Sequence, residues 1–386
     1  MKEQSKKKRK IAIIAGSRGE YGYFRPIIRE IEKRDDLDYG LIVTNMHLLD
    51  TFGYTIEEIR KDGFKIHGVV HNTFDGYSHL TMVKSLSVFM LQLPEMLQQM
   101  GADFVLVSGD RGEQLMAAVV GAHLYIPVAH IQAGEISGNI DGTTRHAITK
   151  FAHLHFAANE EAAQRVLKMG EEPHRVHNVG APLLDEFCNG QVLSKEETRK
   201  KYSLDEKNPN ILFVFHPITE ELHNLEKYLD EVLQAVTSFG YRTIVIQNNS
   251  DAGSKIVKRK IQEYKKPNMS VYSSLPRADY AGLLSTADVL VGNSSSGILE
   301  ASTFGLPVVN IGNRQKGRMQ GENVINTDYD QAAIITAIQQ ALSPVFKKKA
   351  QRSINPYGDG QSAKRIVEIL AQVPIDETLL IKKLTY

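Results

Sequence analysis

Apolar residues along this chain fall into short unbroken runs. Between the runs lie longer stretches in which they recur every three or four positions. Ile11-Ala12-Ile13-Ile14-Ala15 is the first run. Behind it, Phe24, Ile27, Ile28 and Ile31 stand at i, i+3, i+4 and i+7, the spacing of one helix face. Runs at 40–44, 66–70, 104–108, 128–132 and 155–158 predict further strands. The segments 55–61, about 80–100, 113–124, 143–153 and 160–169 predict helices between them, with a kink at Pro94. Strands that are apolar throughout and joined by helical crossovers indicate a parallel sheet covered on both faces.

A polar stretch from about 189 to 210 interrupts this rhythm, and then the pattern restarts. Strands are expected at 211–215, 243–247, 271–273, 289–291 and 308–311. Helices are expected near 222–239, 255–264 and 362–371. The fold class is therefore α/β, with two Rossmann-like domains. The expected boundaries are 1–182 for the first and 183–361 for the second, a nucleotide-binding domain. The last helix, about 362–386, returns to the first domain. Ligands in such sheets gather at the carboxyl ends of the strands, and a central cleft between the halves is the expected site.

Composition narrows the class. The 386 residues suit two domains, and 42% hydrophobic with 24% charged is ordinary for a soluble protein. A net charge of +1 gives no reason to expect nucleic acid as a partner. The basic start, residues 1–10, reads as a solvated tail ahead of the first strand. Ile11–Ala15 behind it is shorter than the roughly 7–15 residues of a signal-peptide core. No apolar run approaches the roughly 20 residues of a membrane helix. Cys188 is the sole cysteine, so no disulfide can form within the chain. The expectation is a cytoplasmic protein without a membrane or nucleic-acid partner.

Candidate chemistry sits where strands should turn into helices. Gly16-Ser17-Arg18-Gly19-Glu20-Tyr21-Gly22 follows the first strand. Its spacing is neither that of a dinucleotide fingerprint nor that of a Walker loop. It is either an ordinary tight turn or a ligand loop in which Arg18 adds a fixed charge. Gly292-Asn293-Ser294-Ser295-Ser296-Gly297, with Glu300, repeats the layout in the second half. Serines at a helix start can meet phosphate, and a carboxylate behind them can hold ribose hydroxyls; a plain serine N-cap is the alternative. Ser108-Gly109-Asp110-Arg111 and His130-Ile131-Gln132-Ala133-Gly134-Glu135 each end a strand, and Asp141 with Arg145-His146 follows. Carboxylates from neighbouring strand ends suit removal and return of protons at carbon. For Asp110 and Arg111 a buried structural ion pair is the other reading. His216-Pro217 closes the first strand of the second half and faces a similar choice between a diphosphate donor and a turn histidine. No zinc-type His/Cys spacing and no Gly-x-Ser-x-Gly elbow is present, so no metal site is expected.

With these segments in view, the sequence resembles the hydrolysing UDP-N-acetylglucosamine 2-epimerases. The matching segments run along nearly the whole chain. They include the loop 16–22, Met46-His47-Leu48-Leu49 with Phe52-Gly53, Gly109-Asp110-Arg111, 130–135 and 145–150. Further on come His216-Pro217, Asn249 to Ser254, the serine loop with Glu300, Asn313 to Arg318 and Tyr357-Gly358-Asp359-Gly360. The resemblance implies a glycosyltransferase-B-like fold and a nucleotide-sugar substrate. It implies conversion of UDP-N-acetylglucosamine and water to N-acetylmannosamine and UDP through 2-acetamidoglucal. It also implies no cofactor and a homo-oligomer, dimer or tetramer. Carried over by motif, Asp110, Asp141 and Gln132 fall on acid/base positions, with Glu135 and His130 as substitutes. Arg18, Gly19, Arg111, His216, Asn249, Ser294, Ser295, Glu300 and Arg314 fall on UDP-binding positions. Gln132 departs from the family, in which many members carry glutamate, because an amide cannot transfer a proton as a carboxylate does.

Other readings stay open at this stage. A hydrolysing 2-epimerase of UDP- or GDP-N,N'-diacetylbacillosamine, for legionaminic acid synthesis, uses nearly the same motifs. A non-hydrolysing epimerase and a glycosyltransferase share the architecture. A nucleotide-sugar sensor without turnover is the reading from a different class.

Overall fold

The structure is a computed structural model. It describes residues 8–50, 53–74, 79–136, 140–189, 192–247, 253–273 and 275–386. Asn249, with most of its loop, Phe52 and most of the basic start lie outside the described residues. The chain divides into two compact units. One comprises 1–186 together with 357–386, and the other 187–356. These divisions lie a few residues from 182/183 and 361/362 for a packing reason. The buried Glu186 carboxylate pairs with Arg25 and Arg29, and buried Tyr357 offers its carbonyl to the Ala181 amide, so both segments belong to the first unit.

The first unit carries seven parallel strands: β1 (Arg9–Ala15), β2 (Leu37–Thr44), β3 (Ile66–Val70), β4 (Phe104–Ser108), β5 (Val128–Ile131), β6 (Leu154–Ala157) and β7 (Val176–Asn178). Their order is β3-β2-β1-β4-β5-β6-β7. The six helices used below are α1 (Arg18–Glu32), α2 (Ile56–Lys61), α3 (His79–Met100), α4 (Gly112–His123), α5 (Ile140–Phe151) and α6 (Glu160–Lys168). Alternate strand residues explain the layering. Ala12, Ile14, Val105 and Val107 share one core with Phe89 and Leu93 of α3, Ala117 of α4 and Ile148 of α5. On α1 the residues expected at helical spacing, Phe24, Ile27, Ile28 and Ile31, are all buried. The C-terminal helix Ser362–Gln372 packs against α1. Pro94 lies inside α3 and Pro26 inside α1.

The second unit holds six parallel strands: β8 (Asn210–Val214), β9 (Arg242–Ile246), β10 (Met269–Tyr272), β11 (Val289–Gly292), β12 (Val308–Ile311) and β13 (Val324–Thr327). The order is β10-β9-β8-β11-β12-β13. Ile211 and Phe213 face one core with Leu229, Leu233 and Ile338, while Leu212 and Val214 face another with Leu283 and Leu284. β7 and β13 are short edge strands without a long apolar run, which is why periodicity does not reveal them. In each unit the strand order reverses at one place, between β1 and β4 and between β8 and β11. Open α/β sheets bind ligands outside the carboxyl ends of the strands at such switch points.

Candidate active site

In the first unit the switch point is crowded with buried charge. The Glu20 carboxylate, on the first turn of α1, accepts the backbone amides of Gly16 and Ser17, each at 3.0 Å. The glycine-bearing loop therefore spends these two amides on its own side chain. Arg18 is half exposed and lies 3.8 Å from Glu58 of α2. Glu113 stands beside Glu20, is almost fully buried, and accepts from Asn45 at 2.9 Å and from Arg111 at 3.1 Å. A Cβ at Gly16 would sit 2.4 Å from its carboxylate, so only glycine lets the loop pass over it. Burial, and next the Glu113 charge, push Glu20 well above the usual carboxylate range. Arg111 is held further into its charged form by Glu113 and Glu20, and by Asp141 from the first turn of α5.

Beside this cluster, Arg145 of α5 ties three expected residues together. Its buried guanidinium forms an ion pair with Asp110 and donates to the Gln132 carbonyl at 2.8 Å. Gln132 follows β5 directly and adopts the left-handed region, φ +61°. Its side-chain amide donates to the Tyr23 hydroxyl of α1. Thus Asp110, Arg111, Gln132 and Asp141 belong to one neighbourhood. The other two expected acid/base residues are bonded into the scaffold. His130 is fully buried, its Nε2 bonds the Gly109 carbonyl at 2.7 Å, and desolvation lowers it to about 3. Glu135 is buried and accepts from Asn159, the N-cap of α6, at 2.7 Å.

The second unit joins its strand ends at the switch point through a side-chain amide. Asn293 bridges the two strand ends. Its side-chain oxygen accepts the His216 amide at 2.7 Å, and its nitrogen donates to the His216 carbonyl at 2.8 Å. The Asn293 carbonyl in turn accepts from Arg314 at 3.2 Å and from Gln315 at 2.9 Å. Gly292, φ +137°, brings this turn so close that a Cβ would lie 2.0 Å from the Val214 carbonyl oxygen. Ser294 caps the short helix Ser295–Leu299, accepting the Ser296 amide at 3.3 Å. Tyr280 bonds the Ser296 hydroxyl. Glu300 is buried one turn on. Its Oε1 accepts from Arg277 at 3.2 Å, while its Oε2 is buried without a hydrogen-bond partner. Arg277 also lies over the Phe187 ring, 4.3 Å from its centroid.

His216, Ser294, Ser295, Glu300 and Arg314 are therefore grouped at one switch point. Sequence reasoning missed Asn293, Gln315, Arg277 and Tyr280 there, and Glu20, Glu113, Asn45 and Tyr23 in the first unit. Asn293 and Glu113 sat inside quoted or adjacent motif segments and were legible as buried polar residues next to glycines. Tyr23 and Arg277 carried no signal, because each is polar only at its tip and lies in a helical stretch. Among the described residues no three His, Cys, Asp or Glu side chains group as metal ligands. No described helix is long and apolar enough to cross a membrane.

Comparison with known proteins bears on this arrangement. Residues 29–371 match the family model described as UDP-N-acetylglucosamine 2-epimerase. A UDP-N,N'-diacetylbacillosamine 2-epimerase (hydrolyzing) of Legionella pneumophila is 36% identical over 375 residues, covering 97% of this chain and 98% of that protein. A UDP-N-acetylglucosamine 2-epimerase of Neisseria meningitidis is 33% identical, with 94% and 95% covered. The crystal structure of UDP-GlcNAc 2-epimerase from Neisseria meningitidis bound to UDP-GlcNAc shares the fold. Its TM-score is 0.80 at 18% identity, over 94% of this chain and 99% of that one. With its two parallel α/β sheets and a match over most of its length, the chain belongs to the UDP-N-acetylglucosamine 2-epimerase family of nucleotide-sugar 2-epimerases.

Proposed function

We propose that the protein is a hydrolysing 2-epimerase that turns a UDP-linked 2-acetamido sugar and water into the free 2-epimeric sugar and UDP. The observation that carries this reading is the 36% identity, over 97% of the chain, to a relative named as a hydrolysing 2-epimerase. The neighbourhood of Asp110 and Asp141 supports the chemistry. A carboxylate there removes the C2 proton as the C1–O bond to UDP breaks; the C2–H electrons become the C1=C2 bond of a glycal. Water then adds its oxygen to C1, and a proton returns to C2 on the opposite face. A positioned acid or base contributes about 10²–10⁴ in rate. Ser294, Ser295, Glu300, His216 and Arg314 are read as UDP-holding groups, with the unpartnered Oε2 of Glu300 available to a ribose hydroxyl.

UDP-N-acetylglucosamine is the first expectation for the substrate. The Legionella relative supports UDP-N,N'-diacetylbacillosamine at least as strongly, so this stands as the second reading. Incubation with each nucleotide-sugar and no acceptor decides between them by free sugar and free UDP. In heavy water the product should carry deuterium at C2. In oxygen-18 water the released UDP should stay unlabelled. Labelled UDP, or an epimer still attached to UDP, would overturn the hydrolysing elimination route.

A further inference from the structure

An epimerisation at C2 takes a proton off one face and delivers one to the other, and so needs an acceptor and a donor. Asp110, ion-paired with the buried Arg145 guanidinium, is the acceptor on the reading above. The neighbouring position raises a different question. Gln132 sits between the same guanidinium and the buried face of α1, yet its amide has no ionisable proton. Its backbone is in the left-handed region at φ +61°, which is strained for a residue other than glycine. Arg145 holds it there through the carbonyl, at 2.8 Å. Strain that is held in place by a charged site residue points to a side chain that must be aimed. What it is aimed at is the Tyr23 phenol oxygen, to which its amide donates.

We propose that Tyr23, oriented by the Gln132 amide, is the proton donor to C2 in this reaction, an inference that rests on the hydrolysing-epimerase reading above. In this step the phenol O–H bond breaks and its proton forms the new C–H bond at C2 with the glycal π electrons. Water supplies hydroxide to C1, and its remaining proton neutralises the phenolate. The Gln132 N–H, already directed at the phenol oxygen, stabilises the phenolate as charge develops on it. Gln132 is on this account a positioning residue rather than an acid.

The test uses the full chain and follows C2 deuterium incorporation and UDP release. Tyr23→Phe should lower kcat about 10²–10⁴-fold and leave the affinity for UDP within threefold. The alkaline fall of the kcat–pH profile, which reports loss of the phenol proton, should disappear. Adding Gln132→Glu to Tyr23→Phe should restore at least tenfold of the loss, because a carboxyl group then stands beside the vacant position. If Tyr23→Phe does not fold, 3-fluorotyrosine at position 23 replaces it; a more acidic phenol should move the alkaline limb to lower pH. Tyr23→Phe within threefold of the wild-type rate, or an unmoved limb with fluorotyrosine, would overturn the role of Tyr23. Wild-type protein that exchanges no C2 proton with either UDP-sugar would instead remove the epimerase reading itself.

Discussion

The two units solve the same topological problem with opposite chemistry. Each is a parallel sheet with one reversal of strand order, and each gathers its polar residues there. At the first reversal lie five buried or half-buried charged side chains, Glu20, Glu113, Arg111, Asp110 and Arg145. At the second the strand ends are laced by the amides of Asn293 and Gln315 and by serine hydroxyls, with Arg314 on the Asn293 carbonyl and the Arg277–Glu300 ion pair a turn away. Buried carboxylates and guanidinia shift one another's protonation, which suits proton transfer. Amide, hydroxyl and guanidinium donors suit the holding of an anion that must leave unchanged. A shared fold thus says where a site lies, whereas the ionisation of its side chains says what the site can do.

The largest test of this contrast is Asp141→Asn. It should lower kcat about 10²–10⁴-fold with UDP affinity nearly unchanged. A variant that lost UDP binding instead would break the division of labour. Asp110→Asn should do the same to kcat and should also lower stability, since it removes the charge that faces the buried Arg145 guanidinium.

Next in size is a test of how the charged unit is closed. Arg175, fully buried, donates to the carbonyls of Thr378 and Leu379 at 2.6 Å and of Ile381 at 3.1 Å. Lys382 reaches the last carbonyls of α5, Thr149 at 2.9 Å and Lys150 at 3.0 Å. Removing residues 377–386 takes three carbonyl acceptors from Arg175, which keeps Glu172 and the His153 carbonyl, and takes Lys382 from Glu171; it should cost about 1–3 kcal/mol. Hydrogen exchange should show that loss of protection in the first unit and not in the second. Equal loss in both would mean that the units do not unfold separately.

A smaller effect is expected in the second unit. Glu300→Gln should weaken UDP about tenfold, or 1.4 kcal/mol. Inorganic pyrophosphate, which has no ribose, should lose less than threefold. Equal losses by calorimetry would reject the ribose assignment.

The smallest effect is a slope. The described histidines with lowered values, His47, His130, His153, His155 and His177, all belong to the first unit. His153 is held at about 4 by desolvation, then by the charges of Lys382 and Arg175, and its Nδ1 accepts the Val128 amide at 3.0 Å. Its folded value lies below the unfolded 6.5, so the folded state binds fewer protons between the two. Stability should therefore be full above about pH 6.5 and fall as the pH drops towards 4. His153→Gln keeps an acceptor for Val128 and should remove about 1 kcal/mol per pH unit of that slope. An unchanged acid slope in urea unfolding would show that His153 is not among the groups responsible.

Much of the architecture was legible before folding. A strand such as 104–108 agrees with its apolar run because a buried parallel strand must be apolar on both faces. The domain ends were less legible. Glu186 and Tyr357 look like any polar and aromatic residue until their partners Arg25 and Ala181 are known. The glycine motifs marked the right turns but not their use. Gly16 and Ser17 give their amides to Glu20; the Ser17-x-x-Glu20 spacing of a capping box signals the second contact, whereas the first is settled only by the fold.

What the sequence alone determined is therefore what periodicity and local chemistry determine: two α/β repeats, strand-end motifs at fixed places, and family membership through many ordered matches. The tertiary structure alone decided which polar side chains meet. Asp110, Gln132 and Arg145 are brought together from β4, β5 and α5, and Tyr23 joins them from α1, 109 residues from Gln132 in sequence. Pairings of that kind depend on strand order, because a parallel sheet inserts β4 beside β1 while the chain between them is packed elsewhere. Apolar spacing encodes which face of an element is buried. It does not encode which neighbour that face will find, and it is the neighbour that sets a buried group's charge.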